Sequence, residues 1–196
     1  MHPKQILANY NLEPKKSLGQ NFLFDENILA QIVDWASLSV QDQVLEIGPG
    51  LGSLTSELAK HAGRVAAVEL DDRFLPILQA ETAGFDNVEI LHGDILEQDP
   101  AALFAGSYKV VANVPYYITG AILRHLLGSP HKPSLLVLTV QKEVAQRITA
   151  VPPNMSLLAV SVQYYGRTQI LKTIKAGAFW PRPAVDSSVV RIDLSK

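Results

Sequence analysis

With 196 residues, no cysteine and a net charge of −2, the chain has room for one sizeable α/β domain with a real core, and disulfides, thiolate nucleophiles and thiolate metal sites are excluded. An apolar share of 47% with 18% charged residues is a globular composition; no window approaches the apolar length of a membrane helix, and the first residues lack an apolar signal region. The small net charge conceals a division: residues 25–100 carry fifteen Asp and Glu against three Lys and Arg, a net of −12, whereas residues 113–185 carry eight Lys and Arg against Glu143 alone, a net of +7.

Residues 1–19 hold Lys4, Lys15 and Lys16 with Glu13 as their acid, interrupted by Pro3 and Pro14, and are expected to form a mobile basic arm with at most a short helical turn ahead of a domain spanning 20–196. After Gln20-Asn21-Phe22-Leu23, Asp25 suits the N-cap of an amphipathic helix carrying Ile28, Leu29, Ile32, Val33 and Ala36 on one face. Residues 43–47 then read as a strand running into Gly48-Pro49-Gly50-Leu51-Gly52, with a helix over 53–61. Glycines belong in such a turn because it needs φ values that side chains forbid and because a ligand can lie directly on backbone that lacks Cβ atoms. The gap of two between the second and third glycines departs from the dinucleotide fingerprint, in which it is three. A second strand from Arg64 ends in Glu69, about twenty residues past the first glycine, where a carboxylate can accept both hydroxyl protons of a ribose.

Residues 72–83 are expected to be helical, with Pro76 disturbing the first turn. A third strand over 87–91 closes in Gly93-Asp94, and a fourth over 108–113 delivers Asn113-Val114-Pro115-Tyr116. A helix over 119–127, an apolar strand over 134–140 and a helix over 141–148 follow. Residues 157–165 are helix or strand on periodicity alone, and strands are expected over 169–174 and 187–194. The alternation makes a doubly wound parallel sheet, in which ligands bind beyond the carboxyl ends of the strands; Glu69, Asp94 and Asn113 all fall at such ends.

Glu46-x-Gly48-x-Gly50-x-Gly52 with Glu69 resembles the cofactor loop of S-adenosylmethionine-dependent methyltransferases. Joined by Gln20-Asn21-Phe22-Leu23, His92-Gly93-Asp94-Ile95 and Asn113-Val114-Pro115-Tyr116 in that order, the chain resembles the ribosomal RNA adenine N6,N6-dimethyltransferase family, most closely its bacterial small-subunit members. The resemblance implies a Rossmann-like class I methyltransferase: a seven-stranded, mostly parallel sheet with helices on both faces, 157–165 helical and the last two strands paired antiparallel. It implies that S-adenosylmethionine is held by Gln20, Asn21 and Leu23 at its methionine end, by Gly48 in the loop, by Glu69 at the ribose, by Asp94 at the adenine amine and by Asn113. The target adenine would stack on Tyr116, with Phe179 as the second face of its slot. Its exocyclic amine is a poor nucleophile, because the lone pair is delocalised into the ring; Asn113 Oδ1 and the Val114 carbonyl would accept its N–H groups and steer the lone pair, with no strong general base.

The implied substrate is a pair of adjacent adenines in a 3′-terminal hairpin of small-subunit ribosomal RNA, met in an assembling subunit. An acidic half suits a sulfonium cofactor and a basic half suits phosphates. A cytoplasmic monomer is expected, with no membrane partner and no metal, since no His or carboxylate cluster has ligand spacing. Two features depart from the family: residues 151–158 lack its usual glycine and tyrosine, and Ala184 stands where lysine is common. Members continue past the last strand into a small helical domain that helps hold RNA; nothing up to Lys196 corresponds to it, and an isolated catalytic domain is expected. Three other readings stay open: a large-subunit enzyme of the macrolide-resistance type, whose relatives usually lack this form of glycine loop; an RNA-binding assembly factor with weak or lost methylation; and a nicotinamide dehydrogenase.

Overall fold

In the computed structural model, which describes residues 2–195, the elements alternate much as the sequence predicts. They are α1 (Pro3–Asn9), β1 (Phe22–Leu23), α2 (Glu26–Ala36), β2 (Gln43–Ile47), α3 (Ser53–Ala59), β3 (Arg64–Glu69), α4 (Leu75–Thr82), β4 (Val88–His92), α5 (Pro100–Leu103), β5 (Lys109–Asn113), α6 (Thr119–Gly128), β6 (Leu135–Gln141), α7 (Lys142–Ile148), α8 (Leu157–Tyr165), β7 (Arg167–Ile174), β8 (Phe179–Trp180) and β9 (Ser187–Asp193). Seven strands form one sheet in the order β4-β3-β2-β5-β6-β9-β7. Pairings from β4 to β6 are parallel, and β9 runs antiparallel between β6 and β7.

Strands covered on both faces read as continuous apolar runs, and β6 is the clearest case. Its alternate residues Leu136, Leu138 and Val140 pack with Ile122, Leu126 and Ile148 of α6 and α7. Leu135 and Val137 point the other way, into a second layer with Ile32 and Val33 of α2 and Leu58 of α3. The strand order reverses direction between β2 and β5, so the crevice beyond their carboxyl ends is the place where the fold leaves room for a ligand.

Two expectations are revised. The helix foreseen over 72–83 splits into a 3₁₀ turn (Asp72–Phe74) and α4, with Pro76 at the start of α4, where its missing N–H leaves no helical bond unmade. The basic arm is also more ordered than its prolines and lysines imply. Residues 3–9 form α1, and its Ile6 and Leu7 are buried against Phe22, Leu51, Phe74 and Ile77. Apolar burial of adjacent side chains outweighs the weak helical preference of so short a segment.

Candidate active site

The turn after β2 begins the site. Gly48, Gly50 and Gly52 have φ of 65°, 58° and 83°, all in the left-handed region that side chains resist. At Gly50 the constraint is double, because an added Cβ would lie 3.0 Å from the ring of Phe22. The Gly50 N–H points to the end of β3 and donates to Glu69 Oε2 at 2.9 Å, while the Asp71 N–H donates to Oε1 at 2.8 Å. Glu69 therefore stands fixed beside the turn with lone pairs left to accept from a ligand. Burial holds its carboxyl above the usual range, against the downward pull of those two N–H groups.

Asp94 follows β4. Its Oδ1 caps the next turn by accepting from Leu96 N at 2.9 Å, and the residue lines the same pocket as Glu69. Asn113 closes β5. Its Nδ2 donates to the backbone carbonyl of Asn21 at 3.0 Å, so the amide is oriented with Oδ1 as its remaining acceptor. Val114 N donates to the Thr139 carbonyl of β6 at 3.1 Å, which fixes the start of the turn that carries Pro115 and Tyr116. The Tyr116 hydroxyl lies 2.5 Å from Ser187 Oγ at the start of β9, and burial pushes its pKa up.

The segment before β1 crosses between these strand ends. Gln20 Nε2 donates to Asp71 Oδ2 at 2.9 Å and Gln20 Oε1 accepts from Lys15 N at 2.6 Å, so its side chain is engaged within the protein. Asn21 Nδ2 donates to the Gly19 carbonyl at 3.0 Å. Asp71 collects Arg73 Nε at 2.8 Å and Nη2 at 2.6 Å besides Gln20, with Lys15 Nζ at 3.8 Å. Above all the Arg73 hydrogen bonds bring its carboxyl down to about 2.

Gln20, Asn21, Leu23, Gly48, Glu69, Asp94, Asn113, Val114 and Tyr116 thus line one pocket. Phe179 does not. It is 2% exposed, opposite Leu23 in the short β1–β8 ladder, and packs in the core with Leu29 and Ile174. Its ring ties β1 to the body of the domain. Four contributors to the site were not foreseen as such: Glu46, which lines the pocket at 1% exposure; Asp71, which holds the strap formed by the segment before β1; Ser187, which holds Tyr116; and Phe22 beneath Gly50. Glu46 sits visibly in the glycine pattern, whereas Asp71 and Ser187 carry no local signal.

The pocket walls hold three acids, Glu46, Glu69 and Asp94, and no Lys, Arg or His among the described residues. Carboxylates in that number suit a ligand that carries positive charge. The family model described as "Ribosomal RNA adenine dimethylase" matches residues 11–196. The chain belongs to that family. It is 44% identical over 191 residues to ribosomal RNA small subunit methyltransferase A of Dehalococcoides mccartyi strain CBDB1, an alignment that covers 96% of this chain and 66% of that protein. To the protein of the same name from Deinococcus radiodurans it is 47% identical over 195 residues, 98% of this chain and 66% of the relative. The chain therefore spans about two thirds of the length of these family members. Among solved structures, the 23S rRNA methyltransferase ErmE superposes with a TM-score of 0.81 at 31% identity, over 89% of this chain and 70% of its own. A dimethyladenosine transferase from Plasmodium falciparum gives 0.79 at 29%, over 88% and 62%. The Rossmann-like methyltransferase fold and the family are thereby shown.

Proposed function

We propose that this chain transfers methyl groups from S-adenosylmethionine to N6 of two adjacent adenines in a 3′-terminal hairpin of small-subunit ribosomal RNA, giving N6,N6-dimethyladenosine as the ribosome is assembled in the cytoplasm. The small-subunit target rests on the names of the relatives. The chemistry rests on one observation above the others: the Asn113 amide is held by the Asn21 carbonyl with Oδ1 left as an acceptor, at the same pocket as Glu69 and Asp94.

When bound, S-adenosylmethionine supplies an electrophilic methyl group and leaves as a neutral thioether. Glu69 would accept from the ribose hydroxyls, Asp94 from the adenine amine, and Asn21, Leu23 and Gly48 would border the amino-acid end. For the target base, Asn113 Oδ1 and the Val114 carbonyl accept the two amine N–H groups. That draws the nitrogen lone pair out of conjugation and stabilises the positive charge that develops on it. Tyr116, half-buried with its hydroxyl held by Ser187, offers a ring against which an unstacked base can lie. Arg124, Lys142, Arg147 and Arg182 are exposed and belong to no ion pair among the described residues, which leaves them available to phosphates.

The test is transfer of radiolabel from S-adenosylmethionine to small subunits that lack the modification, with Asn113→Ala as the control. Label should reach adenine N6 with the unaltered chain and fall to background with the variant. Equal labelling by both would refute the chemistry. The likeness to ErmE favours a second reading, methylation of large-subunit RNA, and preferential labelling of protein-free 23S RNA would support that reading instead.

A further inference from the structure

Of the three exposed tyrosines among the described residues, Tyr10, Tyr117 and Tyr164, Tyr117 alone lines the pocket, and it is 56% exposed. It lies in the 3₁₀ turn Tyr116–Ile118, where three residues complete a turn, so neighbouring side chains leave in directions about 120° apart. Tyr116 is directed inward, to Ser187 at the start of β9. Tyr117 is directed to the strap. There Gly19 has φ 61°, and a Cβ added to it would lie 3.3 Å from Tyr117 Cδ1 and 3.6 Å from Cε1. The missing side chain makes a seat for the ring, which rests on strap backbone with more than half of the residue left to solvent. The turn itself is fixed: Val114 N donates to the Thr139 carbonyl at 3.1 Å, Ile118 N to the Pro115 carbonyl at 3.2 Å and Thr119 Oγ1 to the Tyr116 carbonyl at 3.3 Å. A cation stands close by in the chain. Lys16 opens the 3₁₀ turn that Gly19 caps, is exposed, and belongs to no ion pair among the described residues.

We propose that Tyr117 is a binding residue for the nucleotide next to the target adenine, whose base stacks on its exposed ring. The inference rests on reading the pocket as the site of adenine methylation. Drawing one base out of a strand strips its neighbour of a stacking partner, and an enzyme that acts on the extruded base has to meet that cost. Tyr117 returns a π-face to the neighbour as the target leaves it, while Tyr116 receives the target. Because the turn is set before RNA arrives, little conformational freedom is lost on binding. Lys16 gives a strand that crosses the ring a positive charge for its phosphate. The mouth of the pocket thereby selects an adenine with a base beside it in the strand over an adenine that stands alone.

The experiment uses small subunits that lack the modification and carry a synthetic 3′-terminal hairpin, with one adenine of the pair either intact or abasic, its ribose and phosphate kept. Each of the two positions is treated in turn, and kcat/KM is measured for label transfer to the adenine that remains. The unaltered chain is compared with Tyr117→Phe and Tyr117→Ala, and S-adenosylhomocysteine affinity is measured separately. On intact RNA Tyr117→Ala should lose about tenfold in kcat/KM and Tyr117→Phe, which keeps the ring, less than about twofold, with S-adenosylhomocysteine affinity unchanged in both. At one of the two positions the abasic RNA should cost the unaltered chain a similar factor, and Tyr117→Ala should add less than about twofold to it. A tenfold loss with Tyr117→Ala that persists on both abasic RNAs, no loss on intact RNA, or a weakening of S-adenosylhomocysteine equal to the rate loss would overturn the assignment. No label from the unaltered chain on intact subunits would overturn the reading of the pocket as a methylation site.

Discussion

Asn113 Nδ2 donates to the main-chain carbonyl of Asn21 at 3.0 Å across 92 positions of sequence, so the strap ahead of β1 and the turn after β5 are fixed to one another by a residue that also lines the pocket. The bond makes the two amide atoms unequal. Asn113→Ala removes both the reacting acceptor and the tie to the strap, and methyl transfer should fall by about 10²–10³-fold or more, the scale for loss of one preorganised polar group in a transition state. Asn113→Asp keeps an acceptor but sets a carboxylate oxygen against the Asn21 carbonyl; it should be as inactive as alanine and should bind cofactor more weakly than alanine does. Single-turnover rates together with cofactor titration separate the two contributions.

Gly50 and Phe22 make the second testable pair. At φ 58° with a Cβ position 3.0 Å from the Phe22 ring, Gly50→Ala meets both backbone strain and overlap, and a loss of about 1–3 kcal/mol in stability is expected. Adding Phe22→Leu should return part of that loss, because it removes the overlap and leaves the strain. Cofactor affinity should not recover, since the Gly50 N–H that holds Glu69 stays displaced. Thermal denaturation and titration of the single and double variants check both statements.

The central strands were legible in the sequence because a strand covered on both faces has no polar side to interrupt its apolar run, and β2, β3, β5 and β6 are all of that kind. The convergence of Glu69, Asp94 and Asn113 was legible for a related reason: in a parallel sheet the carboxyl ends share one edge, so an acid or amide that ends a strand is already placed. What escaped is what depends on single long-range partners. The β1–β8 ladder is two residues deep, too short for any periodicity, and Phe179 is buried in it. Asp71 sits in an Asp71-Asp72-Arg73 run that reads as solvated surface, although it is 3% exposed. Along α8, Leu157, Val160 and Tyr164 are exposed while Ala159 and Val162 are buried, so apolar residues occupy both sides and the helical period is blurred.

Tyr116 is expected to act through its ring, and its hydroxyl to act on the ring's position. Tyr116→Phe loses the contact with Ser187 Oγ but keeps the stacking surface, so it should lower kcat/KM for RNA only a few-fold. Tyr116→Ala removes the surface as well. Stacking on an aromatic is worth about 1–3 kcal/mol per base, and a loss of roughly 10–100-fold in kcat/KM for RNA is expected, with the cofactor dissociation constant unchanged. A variant series in which phenylalanine and alanine are equally impaired would place the essential group at the hydroxyl instead.

Asp71 gives the fold a dependence on acid that can be assigned to one carboxyl. Arg73 and Gln20 hold it at about 2, below its ordinary 3.8, so the protonated form is disfavoured in the folded chain and its contribution to stability is present above pH 3.8. That contribution declines as pH falls through 3.8 and is gone below about 2. Asp71→Asn, which cannot pair with Arg73 and Lys15 as an anion, should therefore melt at a lower temperature than the unaltered chain at pH 5–7, and the gap should close as both are taken toward pH 2. The same variant frees the strap from β3, so trypsin should cut after Lys15 and Lys16 faster than in the unaltered chain at pH 7. A gap in melting temperature that stays constant from pH 7 to pH 2 would show that the substitution acts through packing and not through the carboxylate's pairing with Arg73.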